Sequence, residues 1–295
     1  MKHEGVERTT AYKVISVILL VILAVLFLFP LYWIVTGAFK TGQDIYSTKI
    51  VWWPSEWTLN NFERLFSRRT CPLFQIGSIV GPTAPAAFRW LLNTVFMAVA
   101  AMLLTCLTAA MAGYALAKKR FAGRAIVFGL IVCAMALPKQ VILIPLLKEM
   151  SGLKLIDTLW AVIFPTVGWP FGVFLMKQFS ESIPGEMLEA ARIDGASELR
   201  TFATVVLPLV KPGIGALAIF TFINAWNDYF MQLVMLSSNE KATISLGIST
   251  LMAETTVDMG VLMAGAAIAA APIIIVFLIF QKYFTQGITM GAVKG

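Results

Sequence analysis

Few side chains in this sequence could take part in acid–base, nucleophilic or metal chemistry. The single histidine, His3, lies in the polar N-terminal stretch, so histidine catalysis and a histidine proton relay are not expected. The cysteines Cys71, Cys106 and Cys133 are far apart, and two of them lie in apolar runs, where cysteine behaves as a small hydrophobe. Their odd number and wide spacing predict neither a disulfide framework nor a metal site.

A second group of polar side chains interrupts an apolar run late in the chain. This group comprises Asn224, Asn227, Asp228 and Gln232. Asn224, Asp228 and Gln232 recur every four residues, so they would share one face of a continuous helix. A carboxylate within a membrane helix suggests a functional site. The alternative is that these groups hydrogen-bond between helices and hold them together, and both interpretations stay open.

A charged, amphipathic segment lies between two apolar runs, at residues 182–207. Gly195 can adopt the left-handed conformation that ends a helix, and Ser197 can cap a second helix after it. The pattern predicts two short helices joined at a glycine elbow outside the membrane.

The same segment has side chains that suit contact with a soluble partner. Glu189 offers a carboxylate to an arginine or lysine of that partner. The small residues Ala190 and Ala191 permit close approach of another backbone. Such a projection could fit a cleft and transmit force to the helices that carry it. An ordinary loop is the alternative.

Composition assigns the chain to the membrane. Of its 295 residues, 59% are hydrophobic and only 13% are charged, against about 25% charged in soluble domains. The apolar runs are continuous and long enough to cross a bilayer, which needs about 20 residues per helix. Barrel strands would alternate instead. The net charge of +7 comes from lysines and arginines scattered in loops, so nucleic acid is not an expected partner.

Six apolar runs predict an all-α, polytopic membrane bundle with six transmembrane helices. The predicted spans are Val14–Ala38, Leu91–Ala117, Ala125–Leu147, Thr158–Phe179, Leu209–Leu236 and Val261–Phe284. The resulting divisions are an N-terminal tail (1–13), the first span (14–38), an outer loop (39–90), a transmembrane core (91–284) that includes the 182–207 segment, and a C-terminal tail (285–295).

The outer loop contains one predicted helix and one aromatic cluster. The stretch from Thr58 to Phe66 suits a short amphipathic helix capped near Thr58 or Asn60. Its predicted buried face comprises Leu59, Phe62, Leu65 and Phe66. The tryptophans Trp52, Trp53 and Trp57 are typical of an aromatic belt at a membrane surface.

Basic residues in short loops predict the orientation. The loop between the second and third spans holds Lys118, Lys119, Arg120 and Arg124. This loop and the basic N-terminal tail are expected in the cytoplasm, and an even number of spans then places both termini there. The arginines of the 39–90 loop oppose this orientation, but the rule is weak for long loops, so that loop is expected outside.

The 182–207 segment and the residue after it resemble the signature of ABC importer permeases. That signature reads E-A-A, three residues, G, nine residues, a β-branched residue, one residue, L-P. This sequence has Glu189-Ala190-Ala191, Gly195, Val205, Leu207 and Pro208 at those spacings, and Asp194 before the glycine also fits. Asn93-Thr94 and the tail that contains Lys294 are similar to the second permease of maltose-type systems.

The resemblance implies a type I importer fold and a set of partners. These are a second permease, two cytoplasmic ATPase subunits, an extracytoplasmic solute-binding protein and membrane lipid. This chain has no G-x-x-x-x-G-K-[ST] phosphate loop, so we expect no cofactor and no enzyme activity in it, with ATP and Mg²⁺ on the ATPase subunits. The residues expected to couple to those subunits are Glu189, Ala190, Ala191, Asp194, Gly195, Leu207, Pro208 and Lys294.

The substrate implied by the resemblance is a sugar or oligosaccharide, and an acidic saccharide remains open. Residues expected along its path are Asn93, Asn224, Trp226, Asn227 and Asp228. A permease for another solute is the nearest alternative. An ion-coupled secondary transporter is disfavoured, because Asp228 is the one clear acid within a predicted span.

Overall fold

The computed structural model describes residues 10–73, 75–76, 79–253 and 257–292. The longer helices are α1 (Thr10–Ala38), α4 (Ala86–Lys118), α5 (Arg124–Met135), α6 (Lys139–Gly152), α8 (Pro170–Glu181), α12 (Lys211–Asn227) and α15 (Met259–Ala292). The shorter ones are α2 (Gly42–Ile45), α3 (Asn60–Ser67), α7 (Trp160–Val167), α9 (Gly185–Ile193), α10 (Glu198–Thr201), α11 (Leu207–Leu209), α13 (Tyr229–Met235) and α14 (Ile244–Met252), with a π-helical turn at Phe202–Val206.

Four short strands lie within the predicted outer loop. Strand β1 (Thr70–Pro72) pairs antiparallel with β4 (Thr83–Pro85), and Cys71 lies opposite Ala84. Strand β2 (Gln75–Ile76) pairs antiparallel with β3 (Ile79–Val80). The fold is otherwise helical in the described residues, as predicted.

The described helices provide between four and six candidate spans, and the upper number equals the prediction. Four are long and apolar enough to cross a bilayer by themselves: α1, α4, the stretch Trp160–Glu181 that contains α7 and α8, and α15. Two bent pairs raise the number to six if each pair is one span. They are α5 with α6, bent by 108°, and Glu198–Leu209 with α12, bent by 79°.

The described residues form two compact units. The smaller unit consists of the chain up to Arg68 together with Leu251–Ile268. In it, Asn61 donates hydrogen bonds to the carbonyls of Ala38 and Lys40, 2.9 and 2.8 Å away, and so caps the end of α1. Gly260 allows this contact, because a Cβ there would lie 2.4 Å from Asn61 Oδ1.

The amphipathic helix of this unit differs in detail from its prediction. It begins at Asn60, and its N-cap residue, Leu59, makes no side-chain cap. Leu65 is buried as predicted, but Leu59 is 61% exposed and Asn61 is buried instead. The prediction for Leu59 was wrong because Asn61, whose amide caps the end of α1, occupies the inward position instead.

The larger unit, Arg69–Thr250 with Ala269–Gly295, is built on the packing of α4 against α8 and α12. Gly113 of α4 lies against the backbone of Met176 and Lys177 in α8, where an added Cβ would be 2.6 Å from a backbone atom of each. The absence of a side chain therefore sets how closely these two helices approach.

Three predicted spans are interrupted, although the sequence predicted continuous helices. The third breaks before Pro138, the fourth at Gly168 and Trp169, and the fifth at Asp228. Proline has no N–H to donate and disfavours helical backbone in the residue before it, which explains the first break. The second break precedes Pro170, whose ring suits the first turn of α8.

The α4–α8 contact predicts a strong response to a single methyl group at Gly113. Gly113→Ala should lower the melting temperature of the detergent-solubilised protein, because overpacking costs about 1–3 kcal/mol. Gly129→Ala is the matched control, since a Cβ there meets nothing within 4 Å and alanine favours α5. Size-exclusion chromatography of heated samples measures both. Equal melting temperatures for the two variants would contradict the close-approach argument.

Candidate functional site

At one end of the larger unit, two lysines contact the 182–207 segment. Lys118 is the last residue of α4, and Lys119 is its C-cap. Lys118 Nζ donates to the carbonyls of Ile183 and Glu181, 2.6 and 3.1 Å away. Lys119 forms an ion pair with Glu198 at the start of α10. The basic loop and the 182–207 segment therefore lie on one side, as parity of the predicted spans requires.

The predicted glycine elbow is present. Helix α9 ends at Ile193, and Gly195 has a φ of +73°. The N–H of Ala196 donates to the carbonyl of Ala191 at 3.0 Å, which is the long bond of a Schellman C-cap. Ser197 then caps α10, because its side chain accepts from the N–H of Arg200.

The segment is fastened to the helices beneath it by apolar contacts. Leu188, Phe202 and Val206 are buried in one cluster with residues of α4, α8 and α12. A tilted ring contact between Phe202 and Tyr114, with centroids 5.8 Å apart, belongs to this cluster. A force applied to α9 or α10 therefore reaches three of the membrane helices through packed side chains.

The outer surface of the segment is open. Glu189, Ala190, Asp194, Gly195 and Pro208 are exposed, whereas Ala191 and Leu207 are half-buried. Two large apolar side chains are exposed beside them, Ile193 at 86% and Leu199 at 73%. Lys294 lies outside the described residues. Exposed aliphatic side chains next to a carboxylate form a surface suited to a protein partner.

The opposite end of the larger unit is held by Asp157. Its carboxylate accepts from the backbone N–H groups of Ser237 and Ser238, both at 2.9 Å, and from the Ser238 hydroxyl. Burial alone would raise the pKa of Asp157, but the bonds from Ser238 and Ser237 outweigh it and hold the pKa below its ordinary value. Ser237 and Ser238 are about 80 residues further along the chain than Asp157, so the carboxylate ties two loops together.

Between the two ends, the three interrupted helices converge. Lys139, the first residue of α6, has its ammonium 3.1 Å from Asp228 Oδ2 at the break between α12 and α13. The same ammonium lies 4.8 Å from the ring centroid of Trp169, at the break before α8. A cavity of about 440 Å³ adjoins all three residues. In transporters, such discontinuous helices mark substrate and ion sites.

The polar residues of the fifth span are divided by this break. Asn224 and Asn227 donate to the carbonyls four residues earlier. Gln232 is fully buried and donates to the carbonyl of Ala225 at 3.0 Å. Asn224 and Asp228 both lie beside Lys139 and Trp169, as a shared face predicts. The prediction was wrong for Gln232, which follows the break at Asp228 and is buried in the protein.

Two further residues that were expected along the substrate path are buried and contact other parts of the protein. Asn93 is buried, and its amide donates to the carbonyls of Glu240 and Ala242, both at 2.8 Å. Trp226 is 1% exposed and stacks on Phe222 with ring centroids 5.5 Å apart. Asn93 thereby anchors the loop before α14, and Trp226 fills the core.

Sequence reasoning missed Lys139 and Trp169. Each lies next to a proline that interrupts an apolar run, Pro138 and Pro170 respectively. A proline-interrupted span in a transporter is a recognised pointer to a binding site, so this signal was available. Among the described residues, no three histidine, cysteine, aspartate or glutamate side chains come together in a way that could hold a metal ion.

Comparisons with known proteins agree with the geometry. The family model described as "binding-protein-dependent transport system inner membrane component" matches residues 107–290. The arabinooligosaccharides transport system permease protein AraQ of Bacillus subtilis is 33% identical, with 97% of each chain covered. The maltodextrin transport system permease protein MdxG of the same organism is 31% identical, with 96% of each covered.

Solved structures agree on the fold. A chain from the crystal structure of a bacterial ABC transporter involved in the import of the acidic polysaccharide alginate superposes with a TM-score of 0.78. The identity is 23%, and the match covers 95% of this chain and all of that one. A chain of the MetNI methionine ABC transporter matches more weakly, with a TM-score of 0.53, 16% identity, and coverage of 68% of this chain and 96% of that one.

Broken spans that meet at a polar site, and a helix pair anchored to the bundle and exposed on its outer surface, agree with the matches to transport permeases. This chain belongs to the binding-protein-dependent transport system inner membrane component family. It is a non-catalytic membrane subunit of an ABC importer, and the resemblance seen in the sequence is confirmed.

The contacts of Asp157 predict a pH-dependent stability. A lowered carboxyl pKa stabilises the fold above the ordinary value of 3.8, and this contribution is lost as the pH falls through the folded-state pKa. At about pH 6, Asp157→Asn should therefore be less stable than the parent by about 1–3 kcal/mol. The gap should narrow towards about pH 3. Thermal melts in detergent at both pH values test this, and a gap that does not change with pH would refute it.

Proposed function

We propose that this chain is the permease of an importer that moves a sugar or oligosaccharide across the cytoplasmic membrane. The support is that relatives covering nearly the whole chain are named for arabinooligosaccharides, maltodextrin and diacetylchitobiose. An import permease for a non-sugar solute is the second candidate. An ion-coupled transporter is disfavoured, because Asp228 is already paired with Lys139.

In this proposal the 182–207 segment docks on a cytoplasmic ATPase subunit. The observation that carries it is the exposed elbow at Gly195, fastened to three membrane helices through Leu188, Phe202 and Val206. Glu189, Ala190, Ala191 and Asp194 form the docking surface, with Leu207 and Pro208 where the segment re-enters the bundle. Lys294, in the C-terminal tail, is proposed as a further ATPase contact.

The remaining partners follow from the same proposal. Two ATPase subunits carry ATP and Mg²⁺, a second permease completes the pore, and an extracytoplasmic binding protein delivers the sugar. Both termini and the loop after α4 face the cytoplasm, because that loop is rich in lysine and arginine. Asp157 and the loop after α13 then face outward. Asn224, Asn227 and Asp228 lie along the path that the sugar takes.

The elbow predicts a coupling defect. Gly195→Val should abolish ATP-dependent sugar uptake by the assembled importer, because a β-branched residue resists a φ of +73°. ATP hydrolysis by the complex should then no longer respond to the loaded binding protein. Uptake into proteoliposomes, normalised to the amount of assembled complex, measures the effect.

Gly123→Val is the matched control for backbone strain. Gly123 has a φ of +83° and open space around it, but it lies outside the 182–207 segment. Strain without a docking role should lower the yield of complex and leave uptake per complex unchanged. Normal uptake by the Gly195→Val complex, or an equal loss in both variants, would refute the docking role of the elbow.

A further inference from the structure

A second, smaller cavity lies deeper in the larger unit than the ion pair. Its volume is about 210 Å³, and it lies among α4, α8 and α12 beside the first residue of α6. The polar residues that line it include Thr105, Thr166, Thr221, Asn224 and Lys139. Its aromatic lining consists of Trp169, Phe171 and Phe220. Hydroxyl and amide groups set among ring faces are what a carbohydrate ring requires.

Thr105 has an unused hydrogen-bonding group. It is 3% exposed, and its hydroxyl has no hydrogen-bond partner within the part of the chain that the structure describes. By contrast, Thr94 and Thr108 of the same helix donate to the carbonyls four residues earlier, at 2.6 and 2.8 Å. Helical threonine has two accessible rotamers, so the Thr105 hydroxyl can turn to meet a ligand. Ser180, Thr201 and Trp226 also have a buried polar atom without a partner among the described residues, but of these four residues only Thr105 lines the cavity.

Gly172 brings α8 close to α4 and α12 beside the cavity. It lines the cavity, and an added Cβ would lie 3.2 Å from Ala109 Cβ, 3.3 Å from Thr105 Cγ2 and 3.4 Å from Leu217 Cδ1. The size of the cavity is about 210 Å³ with the helices at this close approach. An apolar cavity of about 150 Å³ accommodates a benzene ring, so 210 Å³ is enough for one six-membered ring with its hydroxyl groups.

The cavity lies near the middle of the bilayer. Thr105 precedes the end of α4 at Lys118 by 13 residues, and Asn224 follows the start of α12 at Lys211 by 13 residues. At about 1.5 Å per residue, each side chain is about 20 Å from the end of the bundle that carries the 182–207 segment. Two independent helices thus give the same depth in a hydrocarbon core about 30 Å thick.

The charges around the cavity are balanced. Among the residues that the structure describes, Lys139 is the one cation that lines it, and its ammonium is paired with Asp228, whose side chain is 16% exposed. An acidic sugar would have to displace this carboxylate from the lysine or lie next to it, and both cost free energy in a site of low dielectric constant. A neutral, hydroxyl-rich ring meets neither obstacle.

We infer that this cavity is a transit subsite that holds one neutral monosaccharide ring of the transported sugar. The inference rests on the proposed function and makes it narrower, since it excludes uronic acids at this position. Thr105 provides a hydroxyl partner, Trp169 provides a ring face, and the Lys139–Asp228 pair rejects acidic sugars by leaving no free positive charge.

A cysteine protection experiment on the assembled importer tests this subsite. Cys71, Cys106 and Cys133 are first replaced by alanine, and Asn224→Cys is introduced as the reporter. Asn224 is suitable because it lines the cavity while its own amide is bound to the carbonyl of Phe220. A small methanethiosulfonate reagent labels the reporter, with arabinotriose or maltotriose as neutral probes and trigalacturonate as the acidic probe.

The neutral probes should slow labelling, and trigalacturonate should not. Adding Asp228→Asn frees the charge of Lys139, so trigalacturonate should then protect. Thr105→Val should raise the half-protecting concentration of the neutral probe about fivefold, as expected for one lost hydrogen bond. Thr108→Val, which removes an exposed hydroxyl of the same helix, should leave that concentration unchanged.

Three results would overturn the inference. In the first, trigalacturonate protects the parent complex as well as a neutral sugar does. In the second, Thr105→Val and Thr108→Val change the half-protecting concentration equally. In the third, no sugar protects the reporter in a complex that imports sugar. The last result leaves the proposed function intact. A complex that imports no sugar under ATP hydrolysis fails the proposed function itself.

Discussion

Inside a bilayer, a polypeptide must satisfy its own backbone polar groups. At the break at Asp228, side chains supply hydrogen bonds that the interrupted helix cannot make. Where α12 ends, Gln232 donates to the carbonyl of Ala225, and the hydroxyl of Thr243 donates to the Gln232 side chain. Where α13 begins, the Asp228 carboxylate accepts from the N–H of Met231. These bonds pair polar groups on both sides of the turn, and at the turn Asp228 lies beside Lys139.

The other end of α13, after Met235, is held by hydrogen bonds with α4 and with the loop that contains Asp157. Thr94 accepts from the N–H of Ile244, and Asn93 holds the carbonyl of Ala242, so the strand of chain before α14 is fixed on α4. The Asp157 carboxylate accepts from the N–H groups of Ser237 and Ser238, which precede this stretch of chain. The broken helix, these two loops and α4 therefore form one hydrogen-bonded assembly. A displacement of α4 at the end that contacts the 182–207 segment would be transmitted to these loops through hydrogen bonds.

The sequence was most informative where a residue determines the local backbone by itself, as at the ends of helices. Gly195 and Ser197 predicted a helix end and a helix start, and both are present. It was least informative where partners are distant in the chain. The pairing of Lys139 with Asp228 joins residues 89 positions apart. The four-residue spacing of Asn224, Asp228 and Gln232 suggested one shared face, and the break at Asp228 separates Gln232 from it. Leu59 failed for a similar reason, because Asn61 was needed to cap α1.

The π-helical turn at Phe202–Val206 fixes the length of the chain between the elbow and the membrane. A π turn accommodates one more residue than an α turn, and Pro208 just after it cannot donate the hydrogen bond that would tighten it. Each residue of an α-helix advances the side chains by about 100°. Loss of one residue here would therefore rotate Gly195 and the surface around it to another side of the bundle while leaving every helix intact. The nine-residue interval between Gly195 and Val205 is thus a geometric requirement, because the number of residues sets the direction in which the elbow faces around the helix axis.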